Sequence, residues 1–198
     1  MDKLIEQLFK AFNHIAREVQ IYFTSGTLIL LNIYVVDYFY YDSSLWNIVK
    51  QSSFMIPLLI VSYVLGHFSM SFYYVLIEMT HLDKKIRQWL DLKTVEEHLQ
   101  PRIFSQHPDL YKHFIERHDL LSMMRWNISA ALCINFIIGI IWFIVVASKW
   151  QVCLLAIICI VCSILLLFLS LKSEHDLADR INWIRELPGA KYELKINE

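Results

Sequence analysis

Four almost wholly apolar stretches, each of about 20 residues, constrain this chain more than anything else in it. They cover residues 21–40, 54–77, 128–147 and 152–171. A helix rises about 1.5 Å per residue, so each stretch can cross roughly 30 Å of hydrocarbon. Inside hydrocarbon no water satisfies a backbone N–H or C=O, which makes the α-helix the spanning form for a single segment. Glycine and proline number four each among 198 residues, so little interrupts long helices. The expected fold is all-α, an integral membrane four-helix transmembrane bundle with helical extensions beyond the bilayer.

The formal net charge is −1, so bulk charge does not point to a nucleic-acid partner. The placement of the charges says more. Of the 18 Lys and Arg, the short connections at 41–53 and 148–151 hold only Lys50 and Lys149. The rest lie in 1–20, 78–127 and 172–198, which predicts that both termini and the long loop face the cytoplasm. No cleavable signal peptide is expected, because Asp2, Glu6, Lys10, Arg17 and Glu18 interrupt the first 20 residues.

The segments follow from these runs. Residues 1–20 place Leu4, Ile5, Leu8, Phe12, Ile15 and Val19 at helical spacing, predicting an amphipathic interfacial or gating helix. Residues 21–77 and 128–171 read as two transmembrane hairpins. Between them, 78–127 reads as a cytoplasmic helical region. Met79, Leu82, Ile86, Trp89 and Leu90 prolong the stripe of span two, and Thr94-x-x-Glu97 resembles a capping box. Pro101 and Pro108 bound a turn, after which a helix is expected to run into span three. Residues 172–198 carry span four onward to Pro188-Gly189, followed by KYELKI, a short strand or a disordered tail. The projecting stripes have little core of their own, so burial by neighbouring copies in a homo-oligomer is expected. Cys133, Cys153, Cys159 and Cys162 all fall in the last two spans and read as small apolar groups.

Polar residues collect near the midplane. Asn32, His67, Asn135 and Ser163 fall within about one helical turn of the same depth. Two readings stand side by side: a layer that hydrogen-bonds across the spans and holds the bundle together, or the lining of a hydrated cavity, pore or proton path. Gly66 allows close helix approach beside His67. Asp37, among Tyr38, Tyr40 and Tyr41, is expected to be wet in an outer aromatic belt.

A second set marks the inner rim: Glu78 and His81 after span two; Glu116, Arg117, His118 and Asp119 before span three; Glu174 and His175 after span four. Glu78-x-x-His81 would share one helix face, as di-metal carboxylate bundles require, and a membrane metal enzyme using that pair is the third functional option. The other readings are rim salt bridges, or a charged ring that tunes ion access or senses pH. Arg17, Arg117, Arg125, Arg180, Arg185 and Lys172 would contact lipid phosphates, with an anionic ligand or oligonucleotide as the alternative. Arg102 and His107 give R-x4-H, a ribonuclease-like spacing, but the flanking prolines break the helix it needs. No phosphate-binding loop, dinucleotide fingerprint, nucleophile elbow or HExxH occurs. No cofactor and no catalysis are expected.

YVLGHFSMSFYYVL at 63–76 and ERHDLLSMMRWNISAAL at 116–132 resemble small four-span bacterial membrane proteins of anti-phage defence, the CRISPR-accessory or abortive-infection effectors. The resemblance singles out Gly66, His67, Glu116, Arg117, Arg125 and Asn127. Trp126, between Arg125 and Asn127, departs from the pattern. The resemblance implies an oligomeric effector that disturbs the inner membrane when a cytoplasmic protein partner or small ligand triggers it. The expectation is a gated pore or channel-like effector lined by His67 with Asn32 or Asn135. The alternative is a non-conducting scaffold that anchors a cytoplasmic partner through 78–127.

Overall fold

The computed structural model describes residues 2–40, 55–92, 116–145 and 150–186, with side chains from 19–38, 56–92, 117–145 and 150–181. Five helices follow in chain order: α1 (Asp2–Tyr40), α2 (Met55–Thr80), α3 (Leu82–Trp89), α4 (Glu116–Val145) and α5 (Trp150–Glu186). Among the described residues there is no strand. The protein is all-α, and four of its helices are long and apolar enough to cross a membrane, over Val19–Tyr38, Ile56–Thr80, Arg117–Val145 and Trp150–Ile181. It is a multi-pass membrane protein.

Two boundaries differ from those expected. Residues 1–20 do not form a separate helix: α1 runs without a break from Asp2 to Tyr40, since no helix-breaking residue stands where the amphipathic pattern gives way to the apolar one. Span two does end, at Thr80. His81 takes a left-handed conformation, φ 50°, and its amide reaches back to the Glu78 carbonyl at 3.3 Å. A new helix, α3, then starts at Leu82. It closes with Asp91 also left-handed and the Leu92 amide donating to the Arg87 carbonyl at 2.9 Å, a Schellman-type stop. Pro57 sits in the first turn of α2, where an amide would lack an intrahelical acceptor in any case. The expected capping box at Thr94, the turn between Pro101 and Pro108, the Arg102/His107 spacing and the 191–196 tail lie outside the described residues.

The chain divides into two compact units, one drawn from Met1–Leu76 and Trp126–Leu166, the other from Ile77–Arg125 and Leu167–Glu198. In the first, α1 and α2 meet through glycine. A Cβ on Gly26 would fall on the Ser62 carbonyl, and one on Gly66 on the Tyr22 carbonyl. The contact is reciprocal, so the two backbones touch, the close approach that small residues allow between spanning helices. Its core comprises Ile21, Ile29, Val36, Tyr73, Ala130, Ala131 and Ala156. In the second, Leu167, Leu171, Leu177, Ala178 and Ile181 of α5 are buried.

Candidate functional site

His67 lies on α2 beside the glycine contact. Its ring stacks on Tyr22 of α1 with centroids 3.6 Å apart and planes 19° from parallel. Tyr63, one turn earlier, meets the same ring edge-on at 4.7 Å. The stack follows from the glycines: only where α1 and α2 touch at the backbone can a residue next to Gly66 lie flat on Tyr22. The hydroxyls around it are spent on their own helices. Ser69 Oγ donates to the Gly66 carbonyl at 2.8 Å and Ser71 Oγ to the His67 carbonyl at 3.0 Å, the local bonding that satisfies Ser in an apolar helix. His67 itself is exposed, as are Val64, Phe68 and Ser71 around it.

The other midplane residues are elsewhere. Ser163 of α5 and Ser129 of α4 exchange bonds: Ser129 Oγ donates to the Ser163 carbonyl and Ser163 Oγ to the Ser129 carbonyl, each at 2.8 Å. The Tyr73 hydroxyl of α2 completes the group at 2.7 Å from Ser129 Oγ, and its ring meets Trp126 edge-on at 5.6 Å. Asn135 is buried and donates from Nδ2 to the Leu28 carbonyl of α1 at 3.3 Å, while its Oδ1 is buried without a hydrogen-bond partner among the described residues. Asn32 is half-buried on α1. The four residues therefore do not form one layer: Ser163 and Asn135 are inside the bundle, each with its own partners, and His67 is outside it. Equal depth along a helix says nothing about azimuth. Asp37 is also displaced from expectation. It is only 5% exposed, because it falls on the inward stripe of Ile29 and Val36 rather than at a wet rim.

The second unit holds most of the rim residues. Glu174 is the hub. It pairs with Arg87 of α3 and accepts from Ser122 Oγ at 3.4 Å. Ser122 and Ser170 form a second serine pair, with Oγ atoms 2.8 Å apart and Ser170 Oγ donating to the Ser122 carbonyl at 3.0 Å. Asp119 lies within electrostatic reach of Glu174. His118 Nδ1 is 3.4 Å from Ser173 Oγ, and His175 Nε2 is 3.5 Å from Asp179. Arg125 Nη1 donates to the Leu169 carbonyl at 3.1 Å. Arg117, Lys172, Arg180 and Glu78 are exposed. The Glu116 side chain lies outside the described residues.

The Glu78/His81 metal option fails on geometry. His81 has left the helix, in the left-handed region, so the pair does not share the helix face that such a site needs. Among the described residues no group of three or more His, Cys, Asp or Glu could hold a metal ion. Sequence reasoning missed Arg87, Tyr73, Ser122, Ser129 and Gly26. A signal was present for the serines: Ser122 and Ser129 are seven apart, as are Ser163 and Ser170, the repeat of a left-handed helix pair. No known protein family, curated protein or solved structure matches the chain.

Proposed function

We propose that the chain assembles as a homo-oligomer in a bacterial inner membrane and forms a pore or channel-like effector, with the outer face of α2 around His67 turned to a hydrated path. The observation that carries this reading is the exposure of His67 within a spanning helix. A titratable side chain in acyl chains is costly, and such residues mark water-filled paths or protein contacts. A ring of copies covers His67 at no such cost. Asn135 and Ser163, each hydrogen-bonded to a neighbouring helix, act as bundle ties in this reading, so His67 and Ser71 line the path. The excess of Lys and Arg in 1–20, 78–127 and 172–198 supports cytoplasmic termini and a cytoplasmic trigger acting through α3. A role in phage defence rests on the resemblance of 63–76 and 116–132 alone. Ion flux into liposomes tests the proposal: the wild type should conduct above empty vesicles, and His67→Ala should change that flux several-fold. No flux from the wild type, or an unchanged flux from the variant, refutes it.

A second reading has its own observation. Trp89 is 83% exposed and Met79 78%, and no residue of α3 is buried, which suits a scaffold that docks a cytoplasmic protein. Recovery of one stoichiometric soluble partner, with His67→Leu fully active, would favour it.

A further inference from the structure

The short helix α3 is held at the level where the apolar runs end. The run of span two closes at Ile77, and Trp89 lies twelve residues further on. A helix running straight on would lift Trp89 roughly 18 Å above that boundary. The chain turns instead. His81, left-handed at φ 50°, breaks the axis, and Arg87 pairs with Glu174 of α5. Glu174 stands three residues past Leu171, where the last apolar run ends, so roughly 4.5 Å beyond it. One arginine side chain therefore ties the far half of α3 to that level. The faces of α3 divide accordingly. Arg87, and Asp83 one turn before it, share the flank toward α5, and both are half-buried. Leu82, Ile86 and Trp89, spaced by four and three, share a second face. Trp89 is 83% exposed on it, and Leu82 and Ile86 are half-buried. Lys85, four residues before Trp89, is exposed at the edge of this face, whereas Lys84 is exposed on the opposite side. The exposed acids Glu78 and Asp91 stand outside α3.

An exposed tryptophan with a lysine one turn before it, tied at the end of a membrane span, matches the headgroup layer of a bilayer. The indole body is apolar and its N–H polar, which is why tryptophan collects at that depth. Lysine lays its methylenes along apolar surface while its ammonium reaches out, and an anionic leaflet attracts such a charge within a Debye length of its surface. We propose that α3 is an interfacial anchor. It lies along an anionic leaflet with Trp89, Leu82 and Ile86 turned to the acyl boundary and Lys85 among the headgroups. The pairing of Arg87 with Glu174 is then the strut that sets the depth of the helix. This gives Trp89 a lipid surface as partner, where the scaffold reading gives it a soluble protein, and it does not rest on conduction.

The test reads Trp89 in the full chain, reconstituted alone into phosphatidylcholine liposomes with and without phosphatidylglycerol. The tryptophan emission lost in W89F is the share of Trp89; should W89F fail to fold, W89Y gives the same difference. That share should be quenched about threefold more by phospholipid brominated near the top of its acyl chains than by aqueous iodide. With phosphatidylglycerol present, K85E should cut the bromolipid quenching about twofold, and K84E, on the opposite side of the helix, should leave it unchanged. Stronger quenching by iodide than by bromolipid overturns the inference, because Trp89 then stands in water. Protection from both quenchers also overturns it and assigns the face to protein, a second copy included. Equal effects of K84E and K85E, or no effect of K85E in phosphatidylglycerol, overturn the proposed face.

Discussion

Gly66→Ala is the sharpest probe of how this bundle is built. The new methyl would stand 2.6 Å from the Tyr22 carbonyl carbon and 2.8 Å from Ser25 Oγ. Ordinary carbon contacts begin at about 3.5 Å, so α1 and α2 must part by roughly 1 Å. No rotamer change relieves the clash, because the obstructing carbonyl is backbone. A gap of that size forfeits about a quarter to a half of the dispersion well at each neighbouring contact. Overpacking of this kind costs about 1–3 kcal/mol, and the better helix propensity of alanine offsets about 1 kcal/mol. The net loss should be about 0–2 kcal/mol, and near 2 because the obstacle is rigid. Gly139→Ala is the internal control. Its methyl meets the Ala156 Cβ at 2.9 Å, with Ala156 Cα at 3.6 Å, so it should cost under about 1 kcal/mol. Gly26→Ala presses on the same seam, where the Ser62 carbonyl carbon would stand 2.5 Å away. Once one methyl has parted the helices the second meets less resistance, so the double variant should cost less than the sum. Reversible unfolding in mixed micelles at rising SDS fraction measures all four. A Gly66→Ala protein as stable as the wild type, or less affected than Gly139→Ala, refutes the backbone-contact argument.

Three further outcomes follow from the polar contacts. A double-mutant cycle of Tyr73→Phe and Ser129→Ala, in the same micelle assay, should give a coupling of about 0.6 kcal/mol, the usual scale for hydrogen bonds between spanning helices; zero coupling would mean the 2.7 Å contact adds nothing. Asn135→Leu should be neutral or stabilising by up to about 1 kcal/mol, because it exchanges a 3.3 Å bond and an unpartnered Oδ1 for apolar packing; a loss above about 2 kcal/mol would contradict this. Glu174→Gln and Arg87→Gln should each destabilise by about 1–3 kcal/mol, while Arg87→Leu with Glu174→Leu should cost less than either, since removing one partner strands the other's charge; equal and additive losses would argue against the pair.

The spans were legible because their cause is local. Hydrocarbon forces each backbone to satisfy itself, so about 20 apolar residues specify a helix without knowledge of its neighbours. The depth of His67 could be read for the same reason, since depth is a count of residues along a fixed rise. Its azimuth could not. Lipid-facing and bundle-facing sides of α2 are equally apolar, and the amphipathic stripe that orients a helix in water is missing. What turns Tyr22 under His67 is the mutual touch of Gly26 and Gly66 against Ser62 and Tyr22, a relation between residues about 40 positions apart in a pair whose register the sequence leaves open. Glu174 was legible as a rim acid, but its pairing with Arg87, 87 residues earlier, depends on α3 being redirected at His81, where a left-handed residue that is not glycine gives no reliable warning in the sequence. The serines were the exception that local reasoning should have caught. Their seven-residue spacing on both α4 and α5 matches a helix-pair repeat: Ser129 and Ser163 exchange hydroxyl-to-carbonyl bonds in one unit, and Ser170 donates to the Ser122 carbonyl in the other. In a membrane helix, then, polar spacing carries the pairing information that apolar spacing carries in water, and Ser122, Ser129, Ser163 and Ser170 are where this chain records it.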